Sequence, residues 1–366
     1  FQKFRNTMVD KMGFEQCKSD PCLFVRRNEL GLVMVVLYVD DGAAVGDKAA
    51  IDAMLEELKQ HGLKTTKEET MKDYLSCEIV YNDDETKAWI GQPHMVCKIE
   101  QEFGELVERL QVYKTPGTPG FNIVRPKEDD PVLDADQLSK FRSGVGMALY
   151  LVKHSRPDLA NPVRELAKCM SKATPAAWKE LLRVLKFVLD TRTMGLKLEP
   201  TMIGKGLVWE IKGYSDSDWA GDKDDRKSVS GFILFLNGCP IMWRSKSQGT
   251  VALSSAEAEY VAASEMVKEI VFVVQVLLSM KIAVKTPIKC LVDNMGAIFM
   301  TENPSSQGRT RHIDTRWHYI KDLNGTLIEI EFVRSEANVA DGFTKNVGGD
   351  IYYRHVGEYM DVRETD

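Results

Sequence analysis

The sequence lacks the features that mark disulfide-rich, zinc-binding, membrane-spanning or P-loop proteins. Its seven cysteines are scattered, odd in number and never spaced as CxxC, which argues against a disulfide scaffold or a zinc module. The longest apolar run, Leu32 to Val39, is far too short to cross a bilayer, and no GxxxxGK[ST] loop occurs. No signal peptide is visible and the chain begins at Phe1 rather than at methionine, so we expect a fragment of a longer protein from a reducing compartment.

The composition is that of a folded protein with uneven charge. The 366 residues are 44% hydrophobic and 28% charged, which is enough for two or three compact units and excludes disorder or a coiled-coil rod. The formal net charge is -6, yet eight basic residues stand against three acidic ones between Arg164 and Lys197, and four against one between Arg309 and Lys321. These patches suit an anionic polymer, although a solvated helix face explains them equally well.

The first stretch, to about Asn82, predicts a buried hairpin that carries two carboxylates at its tip. Leu32 to Val39 is rich in β-branched residues, which predicts a strand buried on both faces. The turn signal Asp40-Asp41-Gly42 follows, and residues 43–46 offer a short return strand. A helix is predicted from Ile51 to His61.

The predicted secondary structure of the rest of the chain changes from mixed, to helical, to alternating strands and helices. A mixed segment with a Pro/Gly loop runs to about Pro131, and helical periodicity then extends from about Ala135 to Leu198. From about Gly204, a long helix at Ser255 to Leu278 interrupts a series of predicted strands at Leu207–Tyr214, Val229–Leu236, Ile241–Arg244, Ile288–Val292 and Leu327–Val333. Three strands before one helix predict an antiparallel meander, with later strands joined through helices.

Four acids of this last part stand at or near the ends of predicted elements. They are separated by 43, 34 and 48 positions and are Asp216, Glu259, Asp293 and Asp341. Carboxylates that meet at one sheet edge suit magnesium, and two such ions about 3.5–4 Å apart can clamp both oxygens of a phosphoryl displacement. Taken singly, each acid is more often a turn or helix cap.

Longer motifs resemble the Pol polyprotein of copia-type retrotransposons. Those similar to its ribonuclease H domain are Gly213–Asp222, Arg226–Gly231, Trp243–Lys246, Val251–Tyr260, Asp293–Asn294, Arg311–Asp314 and Ala337–Asp341. Tyr38–Asp41 looks like the reverse-transcriptase YVDD motif, and Ser155–Asp158 with Val184–Asp190 resembles the segment between the two activities. The likeness covers nearly the whole chain in the family's order.

The resemblance implies an α/β (α+β) fold class in three parts. Residues 1–120 would be the C-terminal part of a reverse-transcriptase palm, residues 121–203 a helical thumb or connection, and residues 204–366 a ribonuclease H domain. That domain would have a mixed five-stranded sheet with flanking helices. The implied reaction is metal-dependent hydrolysis of the RNA strand of RNA–DNA hybrids.

The resemblance also implies the metal ligands. Asp216, Glu259, Asp293 and Asp341 would hold two Mg²⁺ ions, for which Mn²⁺ could substitute. Two near competitors remain, Asp218 and Glu257. Glu257 lies half a turn from Glu259 and is expected to cap the helix.

In the palm, Asp40 and Asp41 would hold the metals for nucleotide addition. The family needs a further acid and fingers that we expect upstream of Phe1, so we expect no primer extension by this chain alone. RNA-directed DNA polymerase activity is expected only of the full-length polyprotein.

Nucleic-acid contacts are expected beside the metal site. The candidates are Trp219, Arg226, Lys227, Ser228, Ser230, Lys246, Arg311, His312 and Arg316. A charged hairpin edge that discourages aggregation is the rival interpretation for the basic and hydroxyl residues. The loop before Asp341 has no histidine, so His312 or His318 could assist product release.

Partners and location follow from the resemblance alone. They are an RNA–DNA hybrid, template-primer nucleic acid and the rest of a Gag-Pol polyprotein, in cytoplasmic virus-like particles or in the nucleus with the integration complex. No membrane partner is expected. The alternative is a domesticated or decayed element that binds nucleic acid without catalysis. Retention of all four acids argues against decay of the site.

Overall fold

A computed structural model describes residues 1–363 apart from residues 40, 69, 203–207 and 303–318, and the side chains of residues 300–302. Cα packing divides the chain into two compact units. The first comprises Phe1–Leu75, Gly206–Trp209 and Val271–Val284, and the second comprises Ser76–Lys205, Glu210–Ile270 and Lys285–Asp366. The division into three domains at residues 1–120, 121–203 and 204–366 stays a prediction. No helix in the described ranges is both long and apolar enough to span a lipid bilayer.

The first unit contains a four-stranded antiparallel sheet in the order β1-β2-β3-β4. In chain order, the elements of this unit are α1 (Gln2–Asn6), a π-helical turn (Thr7–Lys11), β1 (Glu15–Gln16), β2 (Leu23–Asn28), β3 (Gly31–Tyr38), β4 (Asp41–Gly46), α2 (Lys48–Gln60) and β5 (Asp73–Tyr74). The hairpin of β3 and β4 is the one predicted from the sequence, and Tyr38 pairs with Asp41 across its turn.

Strand β3 is not buried on both faces, which corrects that expectation. Val33 and Val35 are buried in a core with Met54 and Leu58 of α2, whereas the alternate residues of β3 are only half-buried. The reason is that helices cover one face of this sheet fully and the other only in part. A continuous run of apolar residues therefore predicts too much burial when only one face of the sheet is fully covered.

The second unit contains two sheets and most of the helices. In chain order its elements begin with β6 (Cys77–Tyr81), β7 (Ala88–Gly91), α3 (Pro93–Val107), α4 (Ala135–His154), a 3₁₀ turn (Pro157–Leu159), α5 (Ala160–Ala167), α6 (Pro175–Asp190) and β8 (Met194–Leu198). They continue with β9 (Ile211–Asp218), β10 (Val229–Leu236), β11 (Cys239–Ser247), α7 (Ser255–Ser279, which ends in the first unit), β12 (Ile288–Val292), α8 (Met295–Glu302), β13 (Ile328–Phe332), two 3₁₀ turns (Ser335–Ala337 and Asp341–Phe343), α9 (Gly349–Val356) and β14 (Met360–Val362).

The larger sheet of this unit is the mixed five-stranded sheet implied by the family resemblance. Its strand order is β11-β10-β9-β12-β13. Strands β9, β10 and β11 form the antiparallel meander, and β12 runs parallel to both β9 and β13. The α/β fold class is therefore the predicted one.

The strand that carries Asp216 differs from its predicted bounds. It begins at Ile211 and ends at Asp218, so Asp216 lies within the strand rather than after it. Backbone pairing with β10 continues to Asp218, which is opposite Val229. A second difference concerns residues 194–198, which lie at the end of the stretch predicted to be helical but form β8, between β7 and β14 of the smaller sheet.

One hydrophobic core joins the helices α3 to α6 with the larger sheet and α9. Phe141 and Leu185 of the helices belong to the same buried cluster as Ile233 of β10, Phe343 and Tyr359. The helical stretch and the five-stranded sheet thus share their interior. Residues that precede the sheet in sequence contribute to the stability of the segment from Asp341 to β14.

Candidate metal centre

Three acids from distant parts of the chain meet at one edge of the larger sheet. A carboxylate oxygen from each of Asp216, Asp293 and Asp341 lies within 4.8 Å of those of the other two. Asp293 follows β12 directly, and β12 pairs in parallel with β9 so that Val292 is opposite Ser215. Asp341 begins a 3₁₀ turn that contacts β9 and β10. The register of two parallel strands and one packed turn therefore creates the cluster.

Glu259 of α7 lies beside this cluster. Its Oε1 accepts a hydrogen bond from the backbone N–H of Ser217 at 3.1 Å. Its Oε2 is buried and has no hydrogen-bond partner among the residues that the structure describes. Burial above all, and then the Asp216 and Asp293 carboxylates, raise the pKa of Glu259 to about 9. A buried carboxylate with an open oxygen next to three others is a ligand set for a cation.

Three residues that the sequence analysis did not single out hold the acids in place. The Thr344 hydroxyl donates to the Asp216 carboxylate, and Lys345 Nζ lies 3.0 Å from Asp341 Oδ1. The buried Asn338 side chain donates to the Ser215 carbonyl of β9 at 2.9 Å. The i, i+3 and i+4 spacing of Asp341, Thr344 and Lys345 was the available signal, since a helical turn places such residues on one side.

Gly231 allows this turn to approach the sheet. It is opposite Asp216 in the register of β10 and β9. A Cβ atom at Gly231 would lie 2.7 Å from Cβ of Phe343 and 2.8 Å from Cγ2 of Thr344, which real structures do not tolerate. Glycine at this position is therefore required for the contact between Thr344 and Asp216.

Burial is the main cause of the shifted pKa values at this site, and the charges of neighbouring groups add to it or oppose it. Burial raises the pKa of Asp216 to about 7; Lys345 lowers it and the Asp341 carboxylate raises it. For Lys345, burial alone would lower the pKa, but Asp216 and Asp341 reverse the direction and raise it. A single lysine thus offsets part of the negative charge of four carboxyl groups.

Metal-free protein is expected to lose stability as pH rises. The ordinary pKa values of Asp216 and Glu259 are 3.8 and 4.5, and folding raises them to about 7 and about 9. The folded state therefore binds more protons than the unfolded state between about pH 4 and about pH 9, and the free energy of unfolding falls through that range. Urea unfolding in EDTA at a series of pH values measures this slope.

The matched variant for this prediction is Glu259→Gln, which carries no titrating carboxyl at that position. In this variant, the fall in the free energy of unfolding above about pH 7 is expected to be much smaller than in the wild type. An unfolding free energy of the metal-free wild type that stays constant or rises over the same range would contradict the prediction.

The two near competitors of the predicted acids have other contacts. The Asp218 carboxylate lies against Gly221, where a Cβ atom would overlap it. Glu257 accepts a hydrogen bond from the backbone N–H of Leu253 at 2.8 Å, while its own N–H donates to Ser254 Oγ at 3.1 Å. This reciprocal pattern is close to a capping box at the start of α7.

The predicted nucleic-acid residues in the loop after β9 and at the start of β10 differ in exposure. Trp219 is half exposed and its Nε1 donates to the Ala252 carbonyl at 3.1 Å. Arg226 is exposed, and Lys227 pairs with Asp225 at 3.2 Å. The hydroxyls of Ser228 and Ser230 are buried and accept from Ala220 N and Gln248 Nε2 respectively. Of this set, Trp219 and Arg226 are the side chains most open to a ligand.

Other predicted contacts are placed only in part. Lys246 is exposed on β11, opposite Ser230. Asp41 is exposed at the start of β4. Asp40, Arg311, His312, Arg316 and His318 lie outside the described residues. Nucleic-acid binding by Lys246, Arg311, His312 and Arg316, metal binding by Asp40 and Asp41, and the role of His312 or His318 in product release all stay predictions.

Much of the basic patch between Arg164 and Lys197 is engaged inside the second unit. Lys168 lies 2.8 Å from Glu165 and 3.0 Å from the buried Asp222, which is 2% exposed. Arg164 also pairs with Glu165, and Lys186 pairs with Asp190. The pair of Lys168 with Asp222 joins the loop after β9 to the end of α5. These ion pairs favour a structural interpretation of this part of the patch over a free polymer-binding surface.

Comparison with known proteins identifies relatives over nearly the whole chain. No protein-family model matches. The chain is 28% identical over 358 residues to the retrovirus-related Pol polyprotein from transposon TNT 1-94 of Nicotiana tabacum, a match that covers 95% of this chain and 26% of the relative. It is 28% identical over 348 residues to the corresponding polyprotein from transposon RE1 of Arabidopsis thaliana, covering 94% of this chain and 23% of that protein.

A solved structure also matches part of the chain. It is that of LC11-RNase H1, isolated from compost by a metagenomic approach, with a TM-score of 0.28 and 13% identity over 37% of this chain and 92% of that chain. The chain spans about a quarter of the length of the curated polyproteins it matches. Along almost all of its length, the chain is similar to the Pol polyproteins of copia-type retrotransposons, which is the resemblance that its motifs indicate.

Proposed function

We propose that this chain hydrolyses the RNA strand of RNA–DNA hybrids with divalent metal ions held by Asp216, Glu259, Asp293 and Asp341. The observation that carries the proposal is the approach of three carboxylate oxygens to within 4.8 Å of one another. The similarity to Pol polyproteins and the mixed five-stranded sheet that carries Asp216 support the same reaction. RNA-directed DNA synthesis is proposed only for the longer polyprotein.

The donor set fits Mg²⁺, a hard cation that prefers carboxylate oxygens and water. Asp216, Asp293 and Asp341 offer one oxygen each, and Glu259 Oε2 is a buried oxygen with no other described partner. When bound, divalent ions make a coordinated water more acidic and stabilise charge on phosphate oxygens. Their positive charge also offsets the repulsion that raises the carboxyl pKa values.

The protein's own residues keep this site preorganised. Thr344 orients the Asp216 carboxylate, and Asn338 fixes the segment before Asp341 to β9. Lys345 supplies a positive charge 3.0 Å from Asp341 Oδ1 while it remains half exposed. Side chains held by such supporting contacts need little rearrangement when a hybrid is bound.

Cleavage of a labelled RNA–DNA hybrid tests the proposal directly. With Mg²⁺ we expect RNA fragments that end in a 3′-hydroxyl and a 5′-phosphate, and no cleavage in EDTA. A DNA duplex and single-stranded RNA are the control substrates and should stay intact. Binding of the hybrid without any cleavage in Mg²⁺ would contradict the proposal and favour the alternative, an element that binds nucleic acid without catalysis.

A further inference from the structure

A groove of about 400 Å³ opens along one edge of the five-stranded sheet, between β11, α4 and α5. Strand β11 is the last strand of that sheet, and no other strand in the described ranges pairs with its outer edge. The residues of β11 that line the groove are consecutive, from 241 to 245. Because side chains alternate between the two faces of a sheet, such a run can share one groove only along the strand edge. The groove therefore follows the backbone of an unpaired strand.

The register of β11 and β10 shows which backbone groups point into the groove. The backbone N–H of Gln248 donates to the Ser228 carbonyl at 2.8 Å, one position beyond the paired residues of the two strands. In an antiparallel pair, positions bonded to the neighbouring strand alternate with positions that are not. Arg244 is therefore bonded to β10, whereas Trp243 and Ser245 direct their N–H and C=O groups away from it. These two residues offer an added strand both donors and acceptors.

The two faces of β11 next to this edge differ in chemistry. The Trp243 side chain lies on the face of the helices, where its Nε1 donates to the Val152 carbonyl at 2.7 Å. Val152 and Leu149 of α4 form an apolar wall of the groove on that side. The alternate residues Arg244 and Lys246 lie on the opposite face. A strand added at this edge would thus have apolar neighbours on one face and basic neighbours on the other.

The groove is basic and has no acidic lining residue. Two of the basic residues around it, Arg164 and Arg244, already have acidic partners. Lys153, which lines the groove, and Lys246, which follows the lining run, are exposed and have no acidic partner in the part of the chain that the structure describes. Their charge favours a partner that carries carboxylates. It disfavours edge-to-edge pairing of two copies of β11, which would bring like charges together.

We propose that this groove binds an extended segment of a partner protein in which apolar and acidic residues alternate, and that the segment adds to the edge of β11 as a further strand. Its main chain pairs with the outward N–H and C=O groups of Trp243 and Ser245. Its apolar side chains pack on the apolar wall of α4, and its carboxylates lie near Arg244 and Lys246. A nucleic-acid strand fits less well, because phosphates accept hydrogen bonds without donating any and would leave the outward carbonyl groups unpaired.

Binding of a designed peptide to the full chain tests this docking site. The probe is a fluorescein-labelled peptide of about ten alternating valine and glutamate residues, the upper length of ordinary strands. We expect saturable binding by fluorescence anisotropy at low ionic strength, and slower amide hydrogen exchange at residues 241–247 when the peptide is bound. A peptide of the same composition with its valines and glutamates in two separate blocks is the control and should bind at least about 10-fold more weakly, because it cannot match both faces.

Two variants locate the peptide on the protein. Lys153→Glu should weaken binding about 2- to 10-fold, the worth of an exposed charge contact that is reversed. Lys140→Glu is its matched control, because it makes the same charge change at an exposed lysine of the same helix that does not line the groove, and it should bind as the wild type does. Ser245→Pro removes one outward N–H and leaves the bonds to β10 intact, so it should weaken binding by a similar factor with an unchanged circular dichroism spectrum.

Four outcomes would overturn the proposal. They are the absence of slower exchange at residues 241–247, equal weakening by Lys153→Glu and Lys140→Glu, equal binding of the block peptide, and displacement of the probe by single-stranded DNA at a lower concentration than by unlabelled probe. The last outcome would identify the groove as a nucleic-acid site. Self-association of the chain that Ser245→Pro abolishes would instead identify a second copy as the occupant and would overturn the proposal as well.

Discussion

Replacement of Asp216 by Asn is expected to lower the rate of hybrid cleavage at least about 100-fold, the upper range for disturbed metal sites, while hybrid binding is retained. Asn keeps the shape of the side chain and can still accept a hydrogen bond from Thr344. It removes the charge that a divalent ion needs. Since burial and neighbouring acids raise the pKa of Asp216 to about 7, its neutralisation should not destabilise the fold.

Asp218→Asn is the matched control, two residues further along the same strand. Its carboxylate lies against Gly221 and is not part of the three-acid cluster, so the variant should keep most of the activity. Initial cleavage rates and hybrid affinity in EDTA should be measured for wild type and both variants. Unchanged cleavage in Asp216→Asn, or an equal loss in both variants, would place the active site elsewhere.

Apolar strands and capped helices could be predicted closely from the sequence. The structure has β10 at Val229–Leu236 and β12 at Ile288–Val292, the predicted bounds, because each is a run of mainly apolar residues in a buried sheet. Helix α7 begins at Ser255 as predicted, where Ser254 and Glu257 form a recognisable capping pattern. Local sequence patterns were sufficient to predict the bounds of a strand or helix wherever a single continuous run of residues forms it.

The strand that carries Asp216 was harder to delimit because the candidate site itself interrupts the apolar pattern. Ser215, Asp216 and Ser217 are polar but continue the pairing with β10. The supporting roles of Thr344 and Lys345 could not be deduced either, because they depend on contacts between distant residues. Thr344 and Asp216 are 128 positions apart, and only the packed turn over Gly231 brings them together.

The shared core could not be predicted from the sequence either. The helical stretch and the five-stranded sheet have different hydrophobic patterns, and nothing in those patterns indicates that they pack together. A buried ion pair shows how closely they are joined. Arg156 and Asp158 have side chains that are 3% and 0% exposed, with Nη2 and Oδ2 2.8 Å apart. Asp158 Oδ2 also accepts a hydrogen bond from the Tyr352 hydroxyl of α9 at 2.8 Å. One carboxylate therefore links the segment before α5 to the helix that follows the metal centre.

Asp158→Ala is expected to lower the free energy of unfolding of the second unit by about 3–5 kcal/mol, because it leaves a buried guanidinium without its counter-ion and Tyr352 without an acceptor. Urea unfolding followed by circular dichroism and tryptophan fluorescence measures the loss. Glu269→Ala is the control, since it breaks an Arg–carboxylate pair of the same 2.8 Å length whose partners are 41% and 21% exposed.

Removal of that partly exposed pair should cost only about 0–1 kcal/mol. An equally small loss in Asp158→Ala would mean that Arg156 finds another partner or becomes solvated, and that α9 is not held by this pair. A large loss would show that residues before the five-stranded sheet stabilise the segment from Asp341 to α9. The acids of the metal centre would then depend on the helical stretch for their positions, although none of them belongs to it.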